Sequence, residues 1–303
     1  MQICYLVLAH AQPKHFGRLI DTLTSRGDYV VAHIDAKTQE TQYWAAAIHN
    51  GNVSFVQDRV DVKWFGYTTA LAIERLFETG RRVYPDADYY WLISGDSYLL
   101  ASPNDLRAFL SKNRTHNFVN ILRFPSQEVD KPRSRVSHYY IEHDPRASKL
   151  RLLYKVLHMI SPRPYKRRLG GLDLYCGSAW LTLTAECTDY LLHELRVRTD
   201  LRKLAKSTKA TDEFYFHTIL GNSPFSPSLM PAPFWADFRP STPRPRPPIL
   251  NESHLRFIRD QDHEYIDSYG RHSMLVGRKF TDQTEKLVTY VENSVWPAFA
   301  SEE

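Results

Sequence analysis

The sequence predicts a single α/β domain in which helices flank a mixed, Rossmann-like sheet. Residues 2–9 form a continuous apolar run, which is typical of a strand buried on both faces. Apolar residues at helical spacing follow between Pro13 and Arg26, and a second strand is predicted at 28–34. The 303 residues, 43% of them apolar, contain no stretch that resembles an interdomain linker. Strand, helix and strand in this order predict a βαβ unit at the start of one domain.

The βαβ unit indicates where a ligand is expected to bind. Parallel strands bring their carboxyl ends to one edge of the sheet, and ligands of open α/β sheets bind along that edge. His10 follows the first strand, and Asp35 and Lys37 follow the second. We expect these three side chains to line the binding edge.

The later elements complete the predicted sheet and its helices. Apolar periodicity, prolines and capping residues give their approximate limits. Strands are predicted at 53–56, 89–94, 117–122 and 174–184. Helices are predicted at 41–50, 67–79, 184–197 and 281–296, after Ser102-Pro103, and near the end of 250–269.

Acidic and aromatic residues beside these strands are the first candidates for a site. Asp96 follows the strand at 89–94 and is expected at the binding edge, whereas Asp86-Ala87-Asp88 precedes that strand and is expected at the opposite edge. One carboxylate makes a weak Mg²⁺ or Mn²⁺ site, so we predict no metal site there. Trp64 precedes the helix at 67–79, where it could pack in the core or stack on a base.

The charge of the chain predicts an anionic partner. The net charge is +5 and the pI is near 9.0, which suits a nucleotide, a nucleic acid or a membrane surface. Between Arg123 and Arg168, twelve Lys and Arg face four Asp and Glu, a surplus of eight. A solvated basic face is the ordinary explanation, and an anionic acceptor near 123–168 is the alternative. A nucleic-acid-binding protein is therefore a second functional hypothesis.

The cysteines and the hydropathy suggest a cellular compartment. Cys4, Cys176 and Cys187 lack metal-ligand spacing and suit a reducing environment. No apolar run is long enough to cross a bilayer. We therefore expect a cytoplasmic protein without a transmembrane segment.

The stretch from Thr211 to Ser223 contains the candidate catalytic group. Asp212 and Glu213 open a run whose apolar residues recur at helical spacing, so both acids are expected in the first turn of a short helix. Acids in a first turn are favoured by the helix dipole, which is the ordinary explanation. Alternatively, Glu213 points into a cleft as a general base while Asp212 caps the helix.

The segment 231–248 is rich in proline and predicts an extended surface loop. Trp235 within it would be either the hydrophobic anchor of that loop or a lid residue over a ligand.

Six short segments, taken in order, resemble glycosyltransferase family 14, the core-2/I-branching β-1,6-N-acetylglucosaminyltransferases and peptide O-xylosyltransferases. The resemblance depends on these segments occurring in the same order as in the family, from residue 31 to residue 280. They are Val31-Ala32-His33-Ile34-Asp35-Ala36-Lys37, Lys63-Trp64-Phe65-Gly66, Leu92 to Ser102, Gly177-Ser178-Ala179-Trp180, Thr211 to Thr218, and Ser273 to Phe280.

The resemblance implies a GT-A fold, a UDP-sugar donor, inversion at the anomeric carbon and no required metal or other cofactor. Glu213 matches the catalytic base of the family, the second acid of an Asp-Glu pair. Lys279 matches a lysine that contacts the diphosphate, and either Arg256 or Arg278 would supply a second cation.

The remaining roles also follow from the resemblance. The donor would be contacted by His10, Asp35, Trp64 and Asp96, and the partner molecule would be a glycan, protein or other hydroxyl acceptor. The residues expected to border that acceptor are Gly177, Ser178, Trp180, Asp212 and Trp235. The domain at 1–303 would then divide into a nucleotide-binding half at 1–122, a basic insert at 123–172, and an acceptor and catalytic half at 173–303.

The sequence also departs from the family pattern. It lacks the membrane anchor and the many cysteines of the Golgi members, so we expect a bacterial or phage-like member. The basic insert has no counterpart in the resemblance, and acceptor specificity is therefore not predicted.

Overall fold

The computed structural model describes residues 1–39, 44, 52–126, 131–143, 151–238 and 247–300. The described strands are β1 (Ile3–Ala9), β2 (Tyr29–Ile34), β3 (Val53–Phe55), β4 (Tyr89–Ser94), β5 (Ser97–Leu99), β6 (Asn117–Arg123), β7 (Tyr175–Thr184), β8 (Leu229–Met230), β9 (Phe234–Ala236), β10 (Glu264–Asp267), β11 (Gly270–Ser273) and β12 (Val276–Arg278).

Helices connect most of these strands. They are α1 (Pro13–Thr24), α2 (Tyr67–Val83), α3 (Pro103–Lys112), α4 (Ser134–Ser137), α5 (Arg151–Ile160), α6 (Tyr165–Arg168), α7 (Ala185–Val197), α8 (Thr199–Ala205), α9 (Tyr215–Gly221), α10 (Glu252–Asp260), α11 (Glu285–Tyr290) and α12 (Trp296–Ala300). Short 3₁₀ turns lie at Thr211–Glu213 and Ser226–Ser228, and a π-helical turn at Val291–Val295 joins α11 to α12.

The main sheet has seven strands in the order β3-β2-β1-β4-β7-β6-β8. At its centre, Leu6 of β1 is in register with Val31 of β2 and Leu92 of β4, and both pairings are parallel. Strand β7 runs antiparallel to β4 and to β6. The predicted mixed α/β sheet in a single domain is therefore confirmed.

The alternation of side chains along β1 divides the interior into two cores. Tyr5 and Val7 point to the side covered by α1, where they belong to the same cluster as Leu19. Leu6 points to the opposite side and belongs to the cluster of Ile73 on α2. Both faces of the strand are buried, which explains the uninterrupted apolar run at the start of the sequence.

Capping residues determine where several helices begin. Pro13 lies in the first turn of α1, where a proline costs no helical hydrogen bond. The Ser102 hydroxyl accepts a hydrogen bond from the Asp105 backbone N–H at 3.3 Å, as half of a capping box at α3. Thr184 caps α7 by accepting from the Cys187 N–H at 3.2 Å. The predicted starts of these three helices are confirmed.

A second sheet brings distant parts of the chain to the binding edge. Its order is β5-β12-β9, with Arg278 in register with Ser97 on one side and Ala236 on the other. Strand β5 begins only three residues after β4 ends. The C-terminal cations therefore lie beside the residues that follow a central strand.

Some predicted elements differ from the structure. The predicted helix at 41–50 lies outside the described residues except for the buried Trp44. Part of the predicted proline-rich loop, 239–246, also lies outside them, and the part before it contains β9 rather than only loop. The basic insert, for which no elements were predicted, contains α4, α5 and α6. Within the described ranges, no helix combines the length and the apolar character needed to cross a membrane.

Candidate active site

The carboxyl ends of β1, β2 and β4 meet at one edge of the main sheet, as the βαβ prediction requires. The Asp35 N–H donates to the carbonyl of Ala9 at 2.9 Å, which fixes the end of β2 beside the end of β1. The Asp35 carboxylate accepts hydrogen bonds from the backbone N–H and the ammonium of Lys37, at 2.9 and 3.1 Å. Asp35 is therefore buried and already paired with a neighbouring cation.

Asp96 is the centre of a charged cluster at the same edge. Its carboxylate accepts a hydrogen bond from Arg278 at 3.0 Å, and the Lys279 ammonium lies 3.8 Å away. The Ser94 hydroxyl donates to it at 2.5 Å. Burial raises the pKa of Asp96, but the two cations and Ser94 outweigh burial, so the net pKa lies below the usual value. Asp96 is a carboxylate that holds Arg278 and Lys279 in place.

The charges of the same cluster act on the His10 imidazole. Desolvation lowers its pKa most, while Asp96 and Asp35 act to raise it and Lys279 and Arg278 act to lower it. The imidazole therefore lies among the four charged groups that were assigned to the donor from the sequence. Its net pKa is lowered, so the ring is neutral at pH 7 and can donate or accept one hydrogen bond.

By contrast, Asp86-Ala87-Asp88 lies at the other end of the sheet. Asp88 accepts a hydrogen bond from the backbone N–H of Gln2, which precedes β1, at 2.6 Å. In the described part of the chain, no group of three or more His, Cys, Asp and Glu side chains is placed to hold a metal ion.

Strand β7 connects the Asp96 cluster to a second group of charges. The Arg278 guanidinium lies 5.0 Å from the centre of the Trp180 ring, close enough for a cation–π contact. Three residues earlier on the strand, the Gly177 carbonyl accepts a hydrogen bond from Lys131 at 2.6 Å. A side chain at Gly177 would overlap the carbonyl of Asn120, so the close backbone approach requires glycine there.

Glu213 forms the second group together with two cations of the basic insert. Lys131 and Arg135 both donate short hydrogen bonds to one oxygen of this carboxylate, Oε2. The Glu213 side chain is 25% exposed, and among the described residues no hydrogen bond reaches its other oxygen, Oε1. One oxygen is therefore fixed and the other is open to a ligand.

Asp212 has a different environment from its neighbour. Burial, followed by the charge of Glu213, raises the pKa of Asp212 to about 7. The prediction that Asp212 caps the following helix is wrong, because α9 begins at Tyr215, its N-cap is Phe214, and no side chain caps it. Both acids lie instead in the 3₁₀ turn Thr211–Glu213, because the backbone at Phe214, with a φ of −131°, leaves the helical region and separates that turn from the helix.

Strand β7 links both groups of charges to one short stretch of backbone. Lys131 binds both Glu213 and the Gly177 carbonyl, and Arg278 contacts the Trp180 ring. Gly177 and Trp180 are three residues apart on β7. At about 3.3 Å per residue they are separated by at most about 10 Å along the strand. The Glu213 carboxylate and the Arg278 guanidinium are thus held near the same short segment of β7.

Ser178 lies between the two groups and is tied to α9. Its carbonyl receives a hydrogen bond from His217 Nε2 at 2.8 Å. Burial, with Lys131 as the second cause, lowers the pKa of His217 to about 3, so this imidazole is neutral. The contact holds β7 against α9, the helix that follows the turn containing Glu213.

Three of the predicted site residues have side chains whose described contacts lie outside the two groups of charges. Trp235 is 3% exposed and stacks on Phe257, which fits the anchor alternative and leaves no face for an acceptor. Arg256 is exposed and pairs with Glu252 on its own helix at 3.5 Å. Trp64 is 41% exposed and stacks on Phe65, with ring centres 4.1 Å apart.

Three residues of the site region, Lys131, Arg135 and Tyr269, were not predicted from the sequence. The first two belong to the insert whose basic surplus was noted, and that surplus was the available signal. Tyr269 lies in the turn between β10 and β11, and its pKa is raised by burial first and then by Cys176 and Glu213. The charge of Glu213 thus acts on the Tyr269 hydroxyl, an interaction that no sequence pattern indicated.

Comparison with known proteins gives a consistent set of relatives. A family model described as Core-2/I-Branching enzyme matches residues 3–232. Xylosyltransferase 2 of Rattus norvegicus is 25% identical over 244 residues, which cover 76% of this chain and 26% of that protein. A xylosyltransferase of Ciona intestinalis is 22% identical over 236 residues, covering 74% of this chain and 25% of that protein. The chain thus spans about a quarter of the length of these relatives.

Two limits apply to these matches. The similar proteins come from animals, including dog and mouse, so the expectation of a bacterial or phage-like member is not borne out. A solved 4-diphosphocytidyl-2C-methyl-D-erythritol synthase from Anaerococcus prevotii superposes over 64% of this chain and 75% of its own, at 9% identity. Its TM-score of 0.33 is too low to support an argument.

Proposed function

The chain belongs to the Core-2/I-branching enzyme family, and we propose that it is an inverting, metal-independent glycosyltransferase of the GT-A type. It transfers a GlcNAc- or xylose-type sugar from a UDP-sugar to a hydroxyl group of a glycan, a protein or another acceptor. The relatives described above are xylosyltransferases, which supports the reaction class. Their activities on particular substrates are not carried over.

The observation that carries the proposal is the asymmetric environment of Glu213. Lys131 and Arg135 hold Oε2, while Oε1 has no partner among the described residues. A general base must be positioned within hydrogen-bond reach of the proton that it accepts. The two cations fix the position of the carboxylate, so Oε1 can accept a hydrogen bond from an incoming hydroxyl.

The reaction is a single in-line displacement. The acceptor oxygen forms a bond to the anomeric carbon as the bond from that carbon to the β-phosphate oxygen breaks, and Glu213 accepts the hydroxyl proton. Attack from the face opposite the leaving group inverts the configuration. The bonding pair leaves with UDP, whose β-phosphate gains negative charge.

Lys279 and Arg278 are the groups proposed to stabilise that charge. They lie 3.8 and 3.0 Å from Asp96, which orients them at the sheet edge. Charge-assisted contacts to a diphosphate can replace the role that a metal ion has elsewhere. The predicted uridine contacts, His10, Asp35 and Trp64, would lie on the β1 and β2 side of this cluster.

The acceptor is proposed to enter beside Ser178 and the Asp212-Glu213 turn. Burial, then Cys176 and then Glu213 raise the pKa of Tyr269, and its hydroxyl is proposed to border this entry as well. With its pKa near 7, Asp212 retains a proton for part of the physiological range and could donate a hydrogen bond to an acceptor oxygen. Trp180, held under Arg278, would separate the acceptor from the diphosphate.

The proposal is tested by measuring UDP release with a panel of UDP-sugars and acceptors. Glu213→Gln preserves the shape of the side chain and removes the base, so the rate is expected to fall about 10²–10⁴-fold. Glu252→Gln, an exposed acid on α10, is the matched control and should leave the rate unchanged. Near-full activity of Glu213→Gln would reject the assignment, and a strict Mn²⁺ requirement would reject the metal-independent part.

The alternative hypothesis of a nucleic-acid-binding protein has a separate test. Two cations of the basic insert, Lys131 and Arg135, are turned toward Glu213 rather than outward. A thermal shift with UDP but none with DNA would support the transferase. A shift with DNA alone, lost steeply with salt, would favour the nucleic-acid alternative.

A further inference from the structure

We propose that helix α5 docks the protein peripherally on a membrane surface that contains anionic lipid. The helix exposes five large apolar side chains, which we call the α5 apolar face. They are Leu152, Leu153, Val156, Met159 and Ile160, exposed by 75%, 48%, 41%, 68% and 64%. A soluble protein seldom exposes a contiguous apolar patch that has no binding role.

The polarity of α5 is the reverse of that of an ordinary surface helix. At 100° per residue, the five exposed apolar residues fall within one arc of about 120°. The half-buried side is partly polar, since the His158 ring lies 3.2 Å from the Tyr139 carbonyl and Tyr154 stacks on His143. The apolar side points to solvent, so its natural partner is outside the described chain.

The segment that packs against the other side of α5 also exposes apolar side chains. Tyr139 and Ile141, on the segment that receives His158, are 40% and 47% exposed. They add an aromatic and a branched aliphatic side chain beside the helix. Tyrosine is favoured where one end of a side chain meets hydrocarbon and the other meets water.

The charges beside the face favour an anionic surface. Arg133, Lys155, Lys166 and Arg167 are exposed. Among the described residues of the insert, 131–143 and 151–168, the one acid is Glu142, whose carboxylate is turned inward to accept a hydrogen bond from the Thr68 N–H at 3.0 Å. A helix with an apolar face beside lysine and arginine is typical of one that lies in a lipid interface.

These same features argue against other occupants. A second copy would bring two cationic surfaces together, which costs free energy. A nucleic acid would satisfy the cations but leave the aliphatic side chains of the α5 apolar face exposed. An anionic lipid surface covers the apolar face with acyl chains and meets the cations with headgroups.

Docking through α5 would also hold the proposed site close to the lipid. The Lys209 N–H donates to the Arg135 carbonyl at 3.0 Å, and Arg135 contacts Glu213. Three causes lower the pKa of the Lys209 ammonium. The largest is burial, the second is the charge of Arg135, and the third is the charge of Lys155 on α5. The helix and the Glu213 side of the site therefore adjoin each other.

The test is flotation of the full chain with vesicles of phosphatidylcholine, alone or mixed with phosphatidylserine. We expect the protein to float with the mixed vesicles and to bind them at least tenfold more strongly than pure phosphatidylcholine. Leu152→Glu with Met159→Glu should weaken this binding at least tenfold. Lys155→Ala should weaken it about fivefold, as expected for one cation near an anionic surface.

Ile266→Glu is the matched control. Ile266 is also an exposed aliphatic residue, at 69%, but it belongs to strand β10 and not to α5. It should float like the unchanged protein. All variants change exposed positions, so their thermal unfolding midpoints and their transfer rates on a water-soluble acceptor should be preserved. Loss of flotation with preserved transfer separates this proposal from the proposed function.

Three results would overturn the proposal. The unchanged protein could stay in the lower fraction with both vesicle types, or it could bind them equally. A dimer seen by sedimentation velocity, dissociated by the Leu152→Glu and Met159→Glu pair, would show instead that a second copy covers the face.

Discussion

Lys131 and Glu213 are 82 positions apart in sequence and form an ion pair at the centre of the proposed site. The same ammonium donates to the Gly177 carbonyl at 2.6 Å, so one side chain ties the basic insert, the 3₁₀ turn and strand β7 together. The pair explains how a chain segment without recognisable periodicity contributes to the site.

Replacing Lys131 tests this role directly. Lys131→Met removes both hydrogen bonds while keeping the length of the side chain, so Glu213 loses its fixed position. We expect kcat to fall about 10–100-fold, because small displacements of a catalytic group have effects of this size. The KM for the UDP-sugar should change little, since the donor cations lie at the other end of the site. Lys166→Met, at an exposed lysine, is the control, and an unchanged kcat for Lys131→Met would contradict the role.

Asp212 predicts a pH dependence of stability. Its pKa is about 7 in the folded protein and near 3.8 in the unfolded chain, so between these values the folded state binds more protons. The free energy of unfolding should therefore fall as pH rises from about 4 to about 7. Asp212→Asn removes this loss and should be more stable than the unchanged protein at pH 8, by about 2–4 kcal/mol.

The measurement is urea denaturation at pH 5 and pH 8. Asp200→Asn, at an exposed aspartate paired with Lys203 at 3.3 Å, is the control and should follow the unchanged protein. Should Asp212→Asn prove less stable at pH 8, the carboxylate is ionised and structurally required, against our expectation.

The two candidate arginines for the diphosphate can be distinguished by UDP affinity. Arg278 lies 3.0 Å from Asp96 and Arg256 pairs with Glu252 on an exposed helix. We expect Arg278→Ala to weaken UDP binding at least about tenfold, since a charge-assisted contact to phosphate is lost. Arg256→Ala should stay within about twofold, as is usual for an exposed pair. Isothermal titration with UDP measures both, and the reverse ranking would favour Arg256.

Two tryptophans proposed for ligand contacts should behave differently. Trp235 is buried on Phe257, so Trp235→Ala should lower the free energy of unfolding by about 3–5 kcal/mol. Trp64 is 41% exposed, so Trp64→Ala should cost less than about 1 kcal/mol but weaken UDP binding about two- to tenfold if the ring stacks on the base. Unfolding curves and UDP titrations on both variants check this, and a stable Trp235→Ala with weakened substrate binding would restore Trp235 to the acceptor site.

The parts of the fold that depend on local patterns were predictable from the sequence. The apolar run at 2–9, Ser102 before Pro103, and Thr184 before a helical pattern each determine a nearby strand or helix start. The binding edge was also predictable, because parallel strands place His10, Asp35 and Asp96 together whatever the remainder of the chain does.

Contacts between distant segments were not predictable in this way. Nothing near Lys131 in sequence indicates that it meets Glu213, and the turn that carries Tyr269 has no pattern of its own. The Asp212-Glu213 turn was misplaced by one helical turn because the backbone at Phe214 leaves the helical region, which apolar spacing does not reveal. The apolar residues of α5 face solvent, but they recur at the same helical spacing as the apolar residues of a helix that packs on a core. The sequence pattern therefore does not distinguish the two cases.

The small sheet β5-β12-β9 has a consequence for the order in which a newly made chain matures. All strands of the main sheet have been synthesised once the ribosome reaches Met230, whereas Arg278 and Lys279 are added almost fifty residues later. Until β12 inserts between β5 and β9, Asp96 lacks both of the cations that face it. A chain released by premature termination before Val276 would contain Glu213 but lack the two cations proposed to bind the diphosphate.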